Sequence, residues 1–102
     1  MSTLHTINKS PFERSAFISA LNHLLDGDAL LMIEDSVIGA RKGSAFAGIL
    51  ENAAKRCNLY ILEPDLTARG MKKSDLIAGA KLVDYAGFVD IVTNHQRTQA
   101  WL

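Results

Sequence analysis

A short apolar run constrains the fold of this chain more than any other feature. Residues 29–33 are all apolar, with Gly27-Asp28 before them and Glu34-Asp35 after them. Five residues are too few for a helix, and apolar side chains on both faces are typical of a strand that helices cover on both sides. We therefore predict a buried strand that ends at Glu34-Asp35, where open α/β sheets form their ligand crevices. A turn of buried helix is the alternative.

Predicted strands and helices alternate along the rest of the chain. Residues 4–7, 59–62, 81–84 and 98–102 also have strand-like patterns, the last as a short edge strand. Ser10, Pro11 and Glu13 form a capping box that predicts the start of one helix, Ser44 is placed to cap a second, and residues 85–95 have helical spacing. This order predicts a three-layer α/β/α fold with a mainly parallel sheet of about five strands, formed by residues 1–102 as a single domain.

The charge balance and the N-terminal sequence exclude several classes of partner. Eleven Lys and Arg residues offset eleven Asp and Glu residues. Because no bulk field then draws the chain to nucleic acid or to an anionic membrane, we expect no direct binding to either. The chain has neither a membrane-spanning run nor the basic and apolar regions of a signal peptide, and a lone cysteine fits a reducing compartment. We therefore expect a cytoplasmic protein.

Cys57 is the candidate nucleophile or sulfur carrier in this sequence. It shares a predicted helical stripe with Phe46, Leu50 and Ala53, which places it toward the core. It also falls at the predicted C-terminal end of that helix, where the dipole disfavours a thiolate. The pattern predicts a buried structural thiol, with a sulfur-carrier role as the alternative.

Signals for a metal, a cofactor or an anion are weak. His5, His23 and His95 are far apart and lack the spacing of metal ligands, so we expect no metal site and no cofactor. The segment from Gly39 to Ser44 contains two glycines and two basic residues but not the phosphate-loop pattern. A small-anion or nucleotide-binding α/β protein that uses this loop remains an alternative of another class.

The acidic pair at the end of the central strand does not predict catalysis. Adjacent residues on a strand point to opposite faces, so Glu34 and Asp35 are poorly placed to act as an acid–base pair. We expect instead that Asp35, or Ser36 after it, caps the following segment.

Large aromatic side chains outside the first two helices suggest contacts with other proteins, because aromatic residues are enriched in interface cores. The candidate interface residues are Tyr60, Tyr85, Phe88 and Trp101. For Trp101 the alternative is that it only covers the edge of its own sheet.

Several stretches taken together resemble the DsrH/TusB family. They are MSTLHTINKSPF at 1–12, Glu34-Asp35, LEPDLTARG at 62–70, VDYAGFV at 83–89 and the final Ala100-Trp101. The similarity extends in order from the first residue to the last. The resemblance implies a DsrEFH-like α/β subunit of a heterohexamer with two copies each of three related chains, the sisters being TusC/DsrF-like and TusD/DsrE-like.

The resemblance also implies a sulfur relay. Such complexes pass persulfide sulfur from a TusA-like donor to a TusE/DsrC-like acceptor. In the Tus setting the sulfur ends in the 2-thiouridine at the wobble position of certain tRNAs, and in the Dsr setting the machinery serves the oxidation of stored sulfur. The family's main carrier cysteine belongs to the TusD/DsrE chain, so this chain is expected to be mainly structural within a sulfurtransferase complex.

One position departs from the pattern of the sulfur-oxidising members. Those DsrH chains carry a cysteine in the first helix, and alignment from the N-terminus places that position at Ala20. The departure argues against a direct persulfide role and favours a TusB-like subunit, with a DsrH subunit in sulfur oxidation as the alternative. Cys57 matches no carrier position of the family.

Overall fold

Five parallel strands form one sheet in the computed structural model, which describes residues 2–12 and 15–101. The strand order is β4-β3-β2-β1-β5. The strands are β1 (Thr3–Ile7), β2 (Ala29–Met32), β3 (Asn58–Leu62), β4 (Ala80–Val83) and β5 (Arg97–Trp101). The helices are α1 (Ala16–His23), α2 (Ala47–Ala54), α3 (Glu63–Ala68) and α4 (Tyr85–Thr93), with 3₁₀ helices at Glu34–Ala40 and Lys73–Asp75. The predicted α/β/α fold with a parallel sheet of about five strands is confirmed.

The strand order explains why the two faces of the sheet are covered unequally. From β1 to β4 the chain moves steadily in one direction, and only the last connection returns across the sheet to place β5 beside β1. Right-handed crossovers put connections that run in opposite directions on opposite faces. The larger core therefore lies under α1, α2 and α3, with Phe17, Leu50 and Leu66 in it, whereas α4 alone covers the other face through Ile91.

The central strand is the most buried element of the chain. All four residues of β2 are buried, and β2 pairs with β1 on one side and β3 on the other. Leu30 and Met32 face the larger core, while Ala29 and Leu31 face the smaller one. Burial on both faces is why residues 29–33 lack the alternation of a half-exposed strand.

The helices α1 and α2 both begin later than their serine signals predicted. The helix expected to start at Ser10 begins at Ala16, and the one expected at Ser44 begins at Ala47. Each serine Oγ instead accepts a hydrogen bond at 3.2 Å from the backbone N–H two residues on, at Phe12 and Phe46. This local serine turn competes with helix for the same backbone groups. The proposed role of Glu13 in a capping box lies outside the described residues.

None of the described helices has the length and apolar character needed to cross a membrane.

Candidate functional site

The carboxyl edge of the sheet is where the sequence predicted a crevice, and hydrogen bonds there join the segment after β2 to the segment after β3. The Asp35 carboxylate accepts from the Arg69 guanidinium at 2.8 Å and 3.2 Å. The backbone N–H of Glu34 donates to the Asp65 carboxylate at 2.7 Å. Glu34 adopts a left-handed backbone with φ of 52°, which is uncommon for a residue other than glycine. These contacts hold the turn after β2 in place.

The predicted capping role of Asp35 or Ser36 is wrong. The 3₁₀ helix that begins at Glu34 has Ile33 at its N-cap position and no side-chain cap. Ser36 is buried, and its Oγ lies 2.7 Å from the carbonyl oxygens of both Ile7 and Ile33. The hydroxyl thus bonds the ends of β1 and β2 instead of the orphan N–H groups of the helix. Sequence preferences for caps do not distinguish these two uses of a serine.

Cys57 lies just after α2 and packs into the larger core. Its Sγ is 3.2 Å from the carbonyl oxygen of Leu25, to which the thiol donates, and 3.7 Å from the Arg56 guanidinium. Burial has the largest effect on the thiol and raises its pKa. The Arg56 guanidinium lowers that pKa, and the carboxylates of Asp28 and Asp26 raise it. Reactive cysteines are thiolates in partly exposed, electropositive surroundings. Cys57 is buried, and the effect of burial on its pKa outweighs that of the neighbouring Arg56 guanidinium.

A buried polar cluster lies between the middle of β1 and the amino-terminal end of β2, and the side chain of the last residue of β5 reaches it. His5 on β1 and Asp28 just before β2 are 5% and 3% exposed. His5 Nε2 lies 3.1 Å from Asp28 Oδ2, and the indole Nε1–H of Trp101 on β5 donates to His5 Nδ1 at 3.1 Å. Three segments that are distant in sequence therefore meet at one imidazole.

The partners of His5 assign its protonation. An indole N–H can only donate, so Nδ1 of His5 must be an unprotonated acceptor. The proton of the neutral ring is then on Nε2, which donates to the Asp28 carboxylate. His5 is accordingly a neutral imidazole of fixed tautomer, with both ring nitrogens engaged.

Asp28 is held as a carboxylate by several donors. Besides His5, the backbone N–H groups of Thr3 and Leu25 donate to it at 3.0 Å and 3.1 Å. Burial is the largest single influence on Asp28 and raises its pKa, but the bonds from Thr3, Leu25 and His5 together outweigh it and leave the pKa below its ordinary value. The carboxylate is therefore ionised and structural, since its hydrogen-bonding capacity is used within the cluster.

An open pocket of about 620 Å³ lies over this cluster. His5, Asp28 and Trp101 line it together with His23, Arg97 and Gln99. The His23 ring is 5.0 Å from the Trp101 ring, and its Nδ1 donates to the Ser19 carbonyl oxygen at 2.7 Å. The lining of this pocket includes Thr3, Asp28 and Arg97, which lie at the amino-terminal ends of β1, β2 and β5, so it opens toward the edge of the sheet opposite to the predicted crevice.

The remaining predicted site residues lie apart from this pocket. The His95 Nδ1 lies 2.7 Å from the carbonyl oxygen of Ile91 at the end of α4. In the loop from Gly39 to Ser44, the Ser44 hydroxyl donates to the Gly39 carbonyl oxygen at 2.8 Å. Among residues 2–12 and 15–101, no group of three His, Cys, Asp or Glu side chains is placed to hold a metal ion.

The four candidate interface residues fall on opposite sides of the sheet. Tyr60 and Phe88 pack against the smaller core under α4, and Tyr85 is 62% exposed at the start of that helix. Trp101 packs on the larger core instead. Tyr85, Phe88, Val89 and Val92 line an apolar groove of about 260 Å³, which we call the α4 surface. Val89, which is 61% exposed, was not among the interface residues predicted from the sequence, although its helical spacing from Tyr85 and Val92 was visible there.

Comparison with known proteins finds relatives that match nearly the whole length of this chain. Residues 9–98 match the family model described as DsrH like protein. Protein TusB of Escherichia coli (strain K12) is 36% identical over 101 residues, with 96% of this chain and 99% of the relative covered. Protein TusB of Pectobacterium parmentieri is 35% identical over 98 residues, with the same coverage.

Two solved structures share the fold. The crystal structure of the ychN protein from E. coli superposes with a TM-score of 0.83 at 15% identity, covering 98% of this chain and 99% of that one. The structure of MTH1491 from Methanobacterium thermoautotrophicum, a protein of unknown function, gives a TM-score of 0.76 at 17% identity and covers 97% of this chain and 96% of that one. At these identities the likeness is one of fold alone.

Proposed function

Because this chain belongs to the DsrH/TusB family, we propose that it is a mainly structural subunit of a heterohexameric sulfur-relay complex in the cytoplasm. The complex passes persulfide sulfur from a TusA-like donor to a TusE/DsrC-like acceptor for 2-thiolation of the tRNA wobble uridine. Sulfurtransfer would take place on the TusD/DsrE-like sister.

The burial and bonding of the Cys57 thiol are the main support for a non-catalytic role of this chain. A persulfide carrier must present a nucleophilic sulfur to a donor protein and then to an acceptor. The Cys57 sulfur is buried, donates to the Leu25 carbonyl oxygen and has a raised pKa. The cluster of His5, Asp28 and Trp101 supplies no alternative nucleophile, because its polar atoms bond to one another.

The α4 surface is the best candidate for contact with a TusC/DsrF-like or TusD/DsrE-like sister. Since α4 is the one helix that packs on this face among residues 2–12 and 15–101, the side chains of Tyr60 and Phe88 are only partly buried between the smaller core and solvent. Tyr85 and Val89 project from the helix with more than half of their surface exposed. An apolar, aromatic surface of this kind is typical of the core of a stable protein interface.

The absence of a cysteine at Ala20 favours the tRNA-thiolation setting over the alternative, a DsrH subunit in sulfur oxidation. Ala20 lies in α1 and is fully buried in the larger core. A small apolar side chain packed there serves the core and offers no sulfur chemistry.

Co-expression with the two sister chains tests the proposal. We expect one stable assembly, and we expect Val89→Asp to abolish it, because a buried unpaired carboxylate is costly at an interface. Ile49→Asp is the matched control: Ile49 is an aliphatic residue, 47% exposed, on a helix of the opposite face. Size-exclusion chromatography with light scattering measures the assembly. A parent chain that stays alone beside both sisters contradicts the proposal.

Sulfur transfer through the assembly tests the assignment of Cys57. Exposed to a persulfide donor, an assembly carrying Cys57→Ser should load and pass sulfur as well as the parent, as measured by mass spectrometry of the acceptor. Loss of transfer with the assembly intact would make Cys57 a carrier.

A further inference from the structure

The bond between Trp101 and His5 depends on a single lone pair. The indole Nε1–H can only donate, and His5 Nδ1, 3.1 Å away, accepts from it. A second proton on His5 would have to bind at Nδ1, since Nε2 already carries one toward Asp28. Two N–H groups would then face each other across the distance that the hydrogen bond now spans.

The two sides of His5 respond differently to that proton. On the Nε2 side, an imidazolium would still donate to the Asp28 carboxylate, and the contact would become a charged pair. The backbone donors of Thr3 and Leu25 keep that carboxylate in place in either state. On the Nδ1 side the acceptor disappears. The bond to Trp101 is therefore the one that yields.

Trp101 is placed to move without unfolding the sheet. It is half-buried on β5, an edge strand that pairs with β1 alone and whose other four residues are exposed. Its ring forms one wall of the 620 Å³ pocket beside His23. Turning the indole outward gives its N–H to water and widens the pocket.

We propose that His5 and Trp101 form a proton-controlled latch, in which a second proton on His5 releases Trp101 from the pocket wall while His5 stays bonded to Asp28. Among the described residues that line the pocket with His5, the charged or titratable side chains are Asp28 before β2, His23 from α1 and Arg97 from β5. Asp28 holds the imidazolium in place after release. This device is independent of the sulfur-relay role.

Nuclear magnetic resonance at neutral pH tests the closed state directly. Nitrogen-15 shifts of the His5 ring should show Nδ1 unprotonated and Nε2 protonated, and the indole N–H of Trp101 should exchange slowly with solvent. A protonated Nδ1 on His5 at neutral pH overturns the proposal without any variant.

An acid titration of the same sample tests the release. The Trp101 indole signal should shift with the same midpoint as the His5 ring and lose its slow exchange, while far-UV circular dichroism stays unchanged. An indole signal that does not follow His5 overturns the latch, and so does a loss of secondary structure at the same midpoint, because the transition would then be unfolding.

Two histidine variants separate His5 from its neighbour. In His5→Asn the amide oxygen can accept from the indole in place of Nδ1 but cannot titrate, so the Trp101 transition should disappear. His23→Asn removes the other imidazole beside Trp101 and should leave the transition in place. Persistence of the transition in His5→Asn, or its loss in His23→Asn, overturns the proposal.

Discussion

Asp28 illustrates how a single buried carboxylate can organise the edge of a sheet. Its two oxygens accept from the N–H groups of Thr3 and Leu25 and from His5, and these donors come from β1 and from the turn after α1. A buried charge is tolerated only when it is fully bonded. Because the donors favour the ionised form, the carboxylate stabilises the folded state as long as it carries its charge.

Replacing Asp28 by Asn should therefore lower the free energy of unfolding by about 1–3 kcal/mol at neutral pH. The amide keeps the shape but turns one N–H₂ toward backbone donors, which leaves them unsatisfied. Urea denaturation measures the change. Asp26→Asn is the control and should change little, because the Asp26 side chain is exposed and lies 3.7 Å from Arg56 in an exposed ion pair.

The difference in unfolding free energy between the parent and Asp28→Asn should depend on pH. The folded-state pKa of Asp28 lies below its ordinary value of 3.8. Its stabilisation is thus complete above that ordinary value and is lost as the pH falls toward and through the folded-state pKa. The difference in stability between the parent and Asp28→Asn should narrow in acid. A difference that widens in acid would show that Asp28 is not the stabilising carboxylate.

Residue-level patterns predicted the environment of Cys57 but not the cluster at His5. Cys57 belongs to a local helical stripe, so its burial was visible in the spacing of its neighbours. His5 contacts residues 23 and 96 positions away, and no local pattern encodes those contacts. Only the strand order brings β5 beside β1, and a single sequence does not determine that order.

At the scale of elements, strand positions were predicted better than helix starts. The strands in residues 29–33 and 59–62 are mostly buried, and buried strands appear in the sequence as apolar runs. The starts of α1 and α2 depend on whether a serine bonds within a turn or within a helix, and the same residue type suits both.

Two glycines, one crowded and one in open space, test the backbone geometry before β4 and within α2. Gly79, just before β4, has φ of 89°, and an added Cβ would lie 2.9 Å from the Ala54 Cβ. Gly79→Ala should destabilise the fold by about 2 kcal/mol, from backbone strain and crowding against α2. Gly48 lies exposed in α2, with nothing within 4 Å of the added Cβ. Gly48→Ala should stabilise by about 0.5 kcal/mol.

Thermal and urea unfolding of both variants measures this contrast. Equal effects of the two substitutions would contradict both the left-handed backbone of Gly79 and its close approach to Ala54, since Gly48 has neither.

At the scale of the whole molecule, stability should fall from the centre of the sheet to its β5 edge. β2 is buried on both faces and paired on both sides, whereas β5 is mostly exposed and pairs only with β1. Amides of β2 should therefore exchange with solvent only through global unfolding, and those of β5 through local opening at much lower free energy. Native-state hydrogen exchange measures both. Amides of β5 that are as protected as those of β2 would contradict this order.

The long span between His5 and Trp101 also has a kinetic meaning. These residues are 96 positions apart, about four times the 23 that separate His5 from Asp28. Two doublings of loop length add about 1.2 kcal/mol to the entropy cost of closure, so contacts of β1 with the β2 region are favoured to form first. Trp101 is the only tryptophan in the chain. During refolding its fluorescence emission therefore reports the docking of β5 onto a sheet that has already formed. No added label is needed to follow this last step of folding.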